Sequence, residues 1–204
     1  MLSSILLFIP AGILMVRQSQ QFIRGHQGIQ PAATLMLSVT GMFSALYGMY
    51  LVVPEPPASP PVIGVFLVWG ILFTVIDISN FWLPLRFTMS FTLSGLLIIL
   101  LQCGTDKIIN CSIVWVVFFS SFQLVRIISL SINQDSIGQG DIFFISGMSF
   151  WMGWREICMV AGSGFLLLFL SALMINKRVL PYAPYFFVAF ALWSMTGFIN
   201  LIKI

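Results

Sequence analysis

Val62-Ile63-Gly64-Val65-Phe66-Leu67-Val68-Trp69-Gly70-Ile71-Leu72-Phe73-Thr74-Val75-Ile76-Asp77-Ile78-Ser79-Asn80 is the stretch that decides the fold. It is an apolar run of helix length, and no other charge lies within eight residues of Asp77 on either side. A helix that crosses the hydrocarbon core of a bilayer needs ~20 such residues. Similar runs, separated by short polar breaks, extend in both directions. They predict helices at about 2–16, 33–53, 62–80, 87–102, 112–131, 141–154, 157–175 and 184–202. The chain is 59% hydrophobic and only 7% charged, against ~25% charged in a soluble domain. A core built from 204 residues cannot hide that much apolar surface from water, so lipid is the fitting solvent. The net charge of +3 is too small, and its carriers too scattered, for a nucleic-acid partner.

The breaks carry further information. Pro54-Glu55-Pro56-Pro57-Ala58-Ser59-Pro60-Pro61 cannot continue a helix and reads as an exposed turn. Ser131 to Gly140 is polar, and Asn176-Lys177-Arg178 is a basic stop. Met1 to Val16 has no basic residue before it and no small-x-small site after it, which predicts a retained helix. With that first helix entering from outside, Arg17, Arg24, Arg86, Arg126, Lys177 and Arg178 fall inside, and Lys107, Arg155 and Lys203 fall outside. The excess of positive charge inside supports this orientation. The expected fold is therefore an all-α polytopic membrane bundle of about eight transmembrane helices, with both termini outside. Several runs are short for a full span, most clearly the thirteen residues between Asp141 and Arg155.

In such a chain the acidic residues are the informative ones, because an ionisable group in a membrane segment is expensive. Glu55, Asp106, Asp135 and Glu156 fall in breaks or at helix ends and read as solvated. Asp77 and Asp141 do not. Asp77 lies about 24 Å along its helix from the outer end, near the inner edge of the hydrocarbon. Asp141 closes Gly138-Gln139-Gly140-Asp141 and opens the next apolar run, also at the inner face. Each has a purely structural explanation. Asp141 suits a helix N-cap, and Asp77 has Arg126 at a similar depth to pair with. Neither explanation accounts for two aspartates at one depth behind a glycine loop. Two carboxylates that share a proton can hydrolyse a peptide bond. The ionised one takes a proton from water, and the protonated one polarises the carbonyl. That chemistry calls for no metal and no cofactor. Gly138 and Gly140 suit a loop that must lie close to other backbone.

Three stretches together resemble the type IV prepilin peptidase family, the intramembrane aspartyl proteases with a Gly-x-Gly-Asp motif. The first is Asp77-Ile78-Ser79-Asn80-Phe81-Trp82-Leu83-Pro84. The second is Gly138-Gln139-Gly140-Asp141, followed by Gly147 and Trp151-Met152-Gly153-Trp154. The third is Lys177-Arg178-Val179-Leu180-Pro181-Tyr182-Ala183-Pro184-Tyr185. They cover roughly 62–202 in the family's order. The resemblance implies Asp77 and Asp141 as the catalytic pair and a bacterial inner-membrane location. It also implies a prepilin or pilin-like secretion subunit as substrate, whose basic leader is cut off at the cytoplasmic side. On this reading 1–204 is one membrane domain, with N-terminal helices over 1–61 joined by a short inner loop and a peptidase core over 62–202. Larger members carry a zinc-binding domain with two Cys-x-x-Cys pairs between their first two helices. Here that loop has no cysteine and cannot form such a site. Many members also methylate the new N-terminal amine, and that second activity is not assigned to this chain. A membrane transporter or channel subunit, with the aspartates as a proton or cation relay, is the alternative reading.

The remaining polar residues read more plainly. His26 is the only histidine and lacks a nucleophile partner, so it reads as a surface residue. Cys103, Cys111 and Cys158 fall near the outer face, where two of them would meet the conditions for a disulfide. Ser120, Gln123 and Arg126 lie on one helix. The first two suit helix–helix hydrogen bonds, and Arg126 suits snorkelling to the inner surface or a place near the aspartates. Trp151, Trp154, Tyr182 and Tyr185 read as interface anchors.

Overall fold

The computed structural model describes residues 2–52, 59–102, 105–131, 138–176 and 180–195. Glu55 and most of the proline turn, Cys103, Asp135, Lys177, Arg178 and Lys203 lie outside these residues. Among the described residues there is no strand, and eight α-helices follow in order: α1 (Leu2–Gly25), α2 (Ala33–Val52), α3 (Pro60–Asn80), α4 (Leu85–Gln102), α5 (Thr105–Ser131), α6 (Gln139–Gly147), α7 (Trp154–Ile175) and α8 (Tyr182–Met195). A 3-10 turn, Met148–Phe150, separates α6 from α7. The chain is a polytopic helical bundle, and α2, α3, α4, α5 and α7 are long and apolar enough to cross a membrane.

Three elements differ from their expected bounds. α1 does not stop near Val16 but runs on to Gly25. Arg17, Gln18, Gln20, Gln21 and Arg24 are good helix formers and carry it past the apolar stretch. It ends where Gln27 takes a left-handed backbone at φ 55°. α5 starts at Thr105, with Asp106 in its first turn, where a carboxylate complements the positive helix end. The run after Asp141 gives only a nine-residue helix before the 3-10 turn. That is about 13 Å of rise, half a span.

The strongly apolar α3 is buried along most of its length, from Val62 to Ser79, with only Val65 exposed and Trp69 and Ile78 half-buried. A helix without a polar face belongs at the centre of a bundle, and α1, α2 and α8 pack around this one. Phe66 shows how the centre is filled. Its ring meets Phe91 of α4, Trp151 after α6, and Phe187 and Phe190 of α8 at centroid distances of 4.9–6.1 Å. Trp151 is therefore a core residue and not an interface anchor. It stacks on Phe91 at 5.2 Å, and its indole N–H donates to the Phe91 carbonyl at 3.2 Å. With the N–H satisfied inside the bundle, burial of the large ring costs no unpaired donor. Tyr182 is buried too, with its hydroxyl donating to the Ala161 carbonyl, whereas Trp154 is exposed as an anchor should be.

Candidate active site

α3 reaches its last turn at Asp77. The helix closes when Phe81 adopts a left-handed backbone, φ 56°, with its amide still bonded to the Asp77 carbonyl at 2.8 Å. Leu83 and Pro84 then carry the chain into α4. Asp77 itself is only 3% exposed. Its Oδ2 accepts the Ala183 amide at 2.7 Å, and the Tyr182 amide also donates to the carboxyl. These are the first residues of α8, so the carboxyl group sits on a helix N-terminus, where free N–H groups and the helix dipole favour an acidic partner. Arg126 is not among the groups acting on Asp77, and the expected pairing of the two is absent.

α6 begins at the other aspartate. Gly138 is its N-cap, in ordinary extended backbone at φ −67° and ψ 145°. The Gly138 amide donates to the Asp141 carboxyl group, and the Asp141 amide returns a bond to the Gly138 carbonyl at 3.1 Å. Asp141, three residues into the motif, thus caps the Gly138 amide from inside the helix without the reciprocal side-chain bond of a full capping box, so a capping role is present, though not at the N-cap position itself. Gly140 is buried, and a methyl group in place of its hydrogen would overlap the backbone oxygen of Leu83. The role of both glycines is clearance, and neither takes a backbone shape reserved for glycine.

That contact welds the start of α6 to the turn that follows α3, which brings the two aspartates to one end of the bundle. The charge of Asp141 is felt at Asp77 and also at Tyr182. Gly138, Gly140, Asp77 and Asp141 therefore form one cluster, completed by the α8 amides.

Sequence reading missed three contributors. The Ala183 amide and the Leu83 carbonyl act through backbone, which no residue type announces. Asn80 is the third. Its side chain accepts the Ile29 amide at 2.8 Å and donates to the Ile29 carbonyl at 3.2 Å. It ties the α1–α2 connection to the last turn of α3. The other polar candidates lie elsewhere or bond locally. Ser120 bonds carbonyls of its own helix, not those of a neighbour, and the buried Gln123 oxygen has no partner. Cys111 and Cys158 form no disulfide with each other. His26 is exposed, with Nδ1 on the Phe22 carbonyl at 2.9 Å. Among the described residues, no three His, Cys, Asp or Glu side chains gather as a metal cluster would require.

Two acidic groups at the same end of an apolar bundle, one within the field of the other, are the arrangement from which a proton-sharing pair acting on water is built once their oxygens approach to hydrogen-bond distance. The sequence profile of the type IV leader peptidase family matches residues 64–176, more than half of the chain and a span that includes both aspartates. No curated protein and no solved structure matches the chain.

Proposed function

We propose that this chain, which belongs to the type IV leader peptidase family, removes the leader of type IV prepilins or pilin-like secretion subunits at the cytoplasmic face of a bacterial inner membrane. Asp77 and Asp141 act as the catalytic pair within a core spanning 62–202. The observation that supports this reading is that the end of α3 and the start of α6, distant in sequence, meet at one end of the bundle through the Gly140–Leu83 contact, with Asp77 on the α8 amides and within the field of Asp141.

The reaction follows from the pair. The ionised carboxylate takes a proton from water as the oxygen adds to the scissile carbonyl carbon. The protonated partner gives its proton to the carbonyl oxygen, forming a neutral tetrahedral diol. As the diol collapses, one of its hydroxyls returns a proton to the second aspartate as the C=O bond re-forms, the C–N bond breaks, and the leaving amine takes a proton from the first aspartate. The new carboxyl group leaves and the pair again holds one proton. Pre-positioning of both groups supplies much of the rate. The substrate enters with its apolar helix in the bilayer and its basic leader at the inner surface, where anionic lipid attracts it.

Co-expression with a candidate pilin tests the reading. Wild type should remove the leader, and Asp77→Ala and Asp141→Ala should each leave it attached. Normal processing by either variant would remove that residue from catalysis.

A further inference from the structure

The C-terminal extension of α1 and the first turn of α4 border an open polar cavity of about 410 Å³, lined by Gln18, Gln21, Phe22, Gly25, His26, Arg86 and Phe87. No lining residue is acidic. The side chains offer two primary amides, an imidazole and a guanidinium, all of which donate hydrogen bonds or carry positive charge. Its level in the bundle is set by sequence. α1 is apolar through Val16 and polar from Arg17 onward, and α4 turns apolar just after Arg86. The cavity therefore lies at headgroup depth, between two helices that enter the hydrocarbon.

Local geometry adds to the charge pattern. The backbone ladder of α4 starts with Phe87 and Thr88 donating to the Pro84 carbonyl. The Leu85 and Arg86 amides precede that ladder, at the positive end of the helix. A carbonyl only accepts, so the 2.9 Å contact between His26 Nδ1 and the Phe22 carbonyl puts a proton on Nδ1. That bond and the stacking of the imidazole on Phe22, with centroids 4.1 Å apart, hold the ring in place. Phe22 in turn meets Phe87 edge-on at 5.0 Å. The result is a set of donors over an aromatic floor, which matches an anionic phosphate joined to an apolar body.

We infer that this cavity binds a phosphate group, presented by the headgroup of an anionic phospholipid. Arg86 provides the planar fork for the phosphate oxygens, Gln18 and Gln21 add amide donors, and His26, with Nδ1 on the Phe22 carbonyl, adds an Nε2 donor in its imidazolium form.

The full-length protein in dodecyl maltoside, titrated with dioleoyl phosphatidylglycerol and followed by native mass spectrometry, tests this. Wild type should retain one firmly held lipid. Arg86→Gln combined with His26→Gln should weaken retention at least about five-fold, the worth of one basic residue at an anionic surface. Arg24→Gln, on the same stretch of α1 but outside the cavity, should change nothing. Inorganic phosphate added in excess identifies the source. Displacement of the lipid means the cavity reads phosphate from either source, and no displacement means it reads the lipid as a whole. Circular dichroism checks that the double variant keeps its helices. If it does not, Gln18→Ala with Gln21→Ala carries the same expectation of weakened retention. Wild-type retention by a folded variant, or an equal loss in Arg24→Gln, overturns the assignment.

Discussion

At Gly138 and Gly140, two residues apart, the same added methyl group meets very different obstacles. At Gly138 it meets the carboxyl end of Asp141, which can swing aside, and at Gly140 it meets the backbone of Leu83, which cannot. Gly138→Ala should therefore keep the melting temperature and lose leader cleavage by about 10–100-fold, as expected when a reacting group is displaced by an ångström or less. Gly140→Ala should lose stability as well, by about 1–3 kcal/mol as for an overpacked core, which a thermal melt in detergent will read. Equal melting temperatures for the two would break the argument. Ala183 invites a subtler change. Proline is tolerated in the first helical turn and has no N–H, so Ala183→Pro removes one of the two amide donors to Asp77 and leaves that of Tyr182. Cleavage should fall about ten-fold or more, since a hydrogen bond to a charged group is worth ~1.5–3 kcal/mol, while the helix content of α8 stays the same. The candidate site was legible in sequence only as far as side chains go. Asp77 and Asp141 stood out because charge is rare in an apolar run. The amide of Ala183 and the carbonyl of Leu83 exist at every position of every chain, and only folding gives these two a role.

Among the elements, apolar run length predicted the count of helices well and their ends poorly. α1 shows why. Arginine and glutamine end a membrane stretch but extend a helix, so the lipid boundary near Val16 and the helix boundary at Gly25 are separate events. The run after Asp141 shows the reverse, since it is apolar through Trp154 except for small residues, yet the helix breaks at Gly147. Asn80 marks where two such ends meet. It clamps Ile29 through both of its amide atoms, and Gly28 leaves room for it, because a methyl there would lie 2.6 Å from the Asn80 oxygen. Asn80→Ala should free the α1–α2 connection, with faster hydrogen exchange at the Ile29 amide. Asn80→Asp keeps an acceptor for that amide but loses the donor to the Ile29 carbonyl, so exchange there should fall between the two. Unchanged exchange in Asn80→Ala would show that other contacts hold the loop.

Across the whole molecule, burial is distributed in a way that a water-soluble bundle would not tolerate. α3 is the most apolar helix and is buried almost throughout. α5 has none of its residues buried, yet along most of its length it presents Ile109, Ile113, Val116, Val117, Leu124, Val125, Ile127 and Ile128 outward. In water such a surface would exceed the few hundred Å² of contiguous apolar patch that monomers expose. In a bilayer it costs nothing, because lipid tails are as apolar as leucine. The two helices should therefore respond oppositely to a reagent confined to the hydrocarbon. A membrane-partitioning photoactivated carbene probe, applied to the protein in liposomes and followed by peptide mass spectrometry, should label α5 and the exposed face of α7 around Leu166, Phe169 and Leu173. Peptides from α3 between Phe66 and Ile76 should stay unlabelled until the bundle is denatured, when they should label at least as heavily as α5. Equal labelling of α3 and α5 in the intact protein would mean that α3 is not the hub around which the carboxyl pair is held, and the placement of Asp77 against α8 would fall with it.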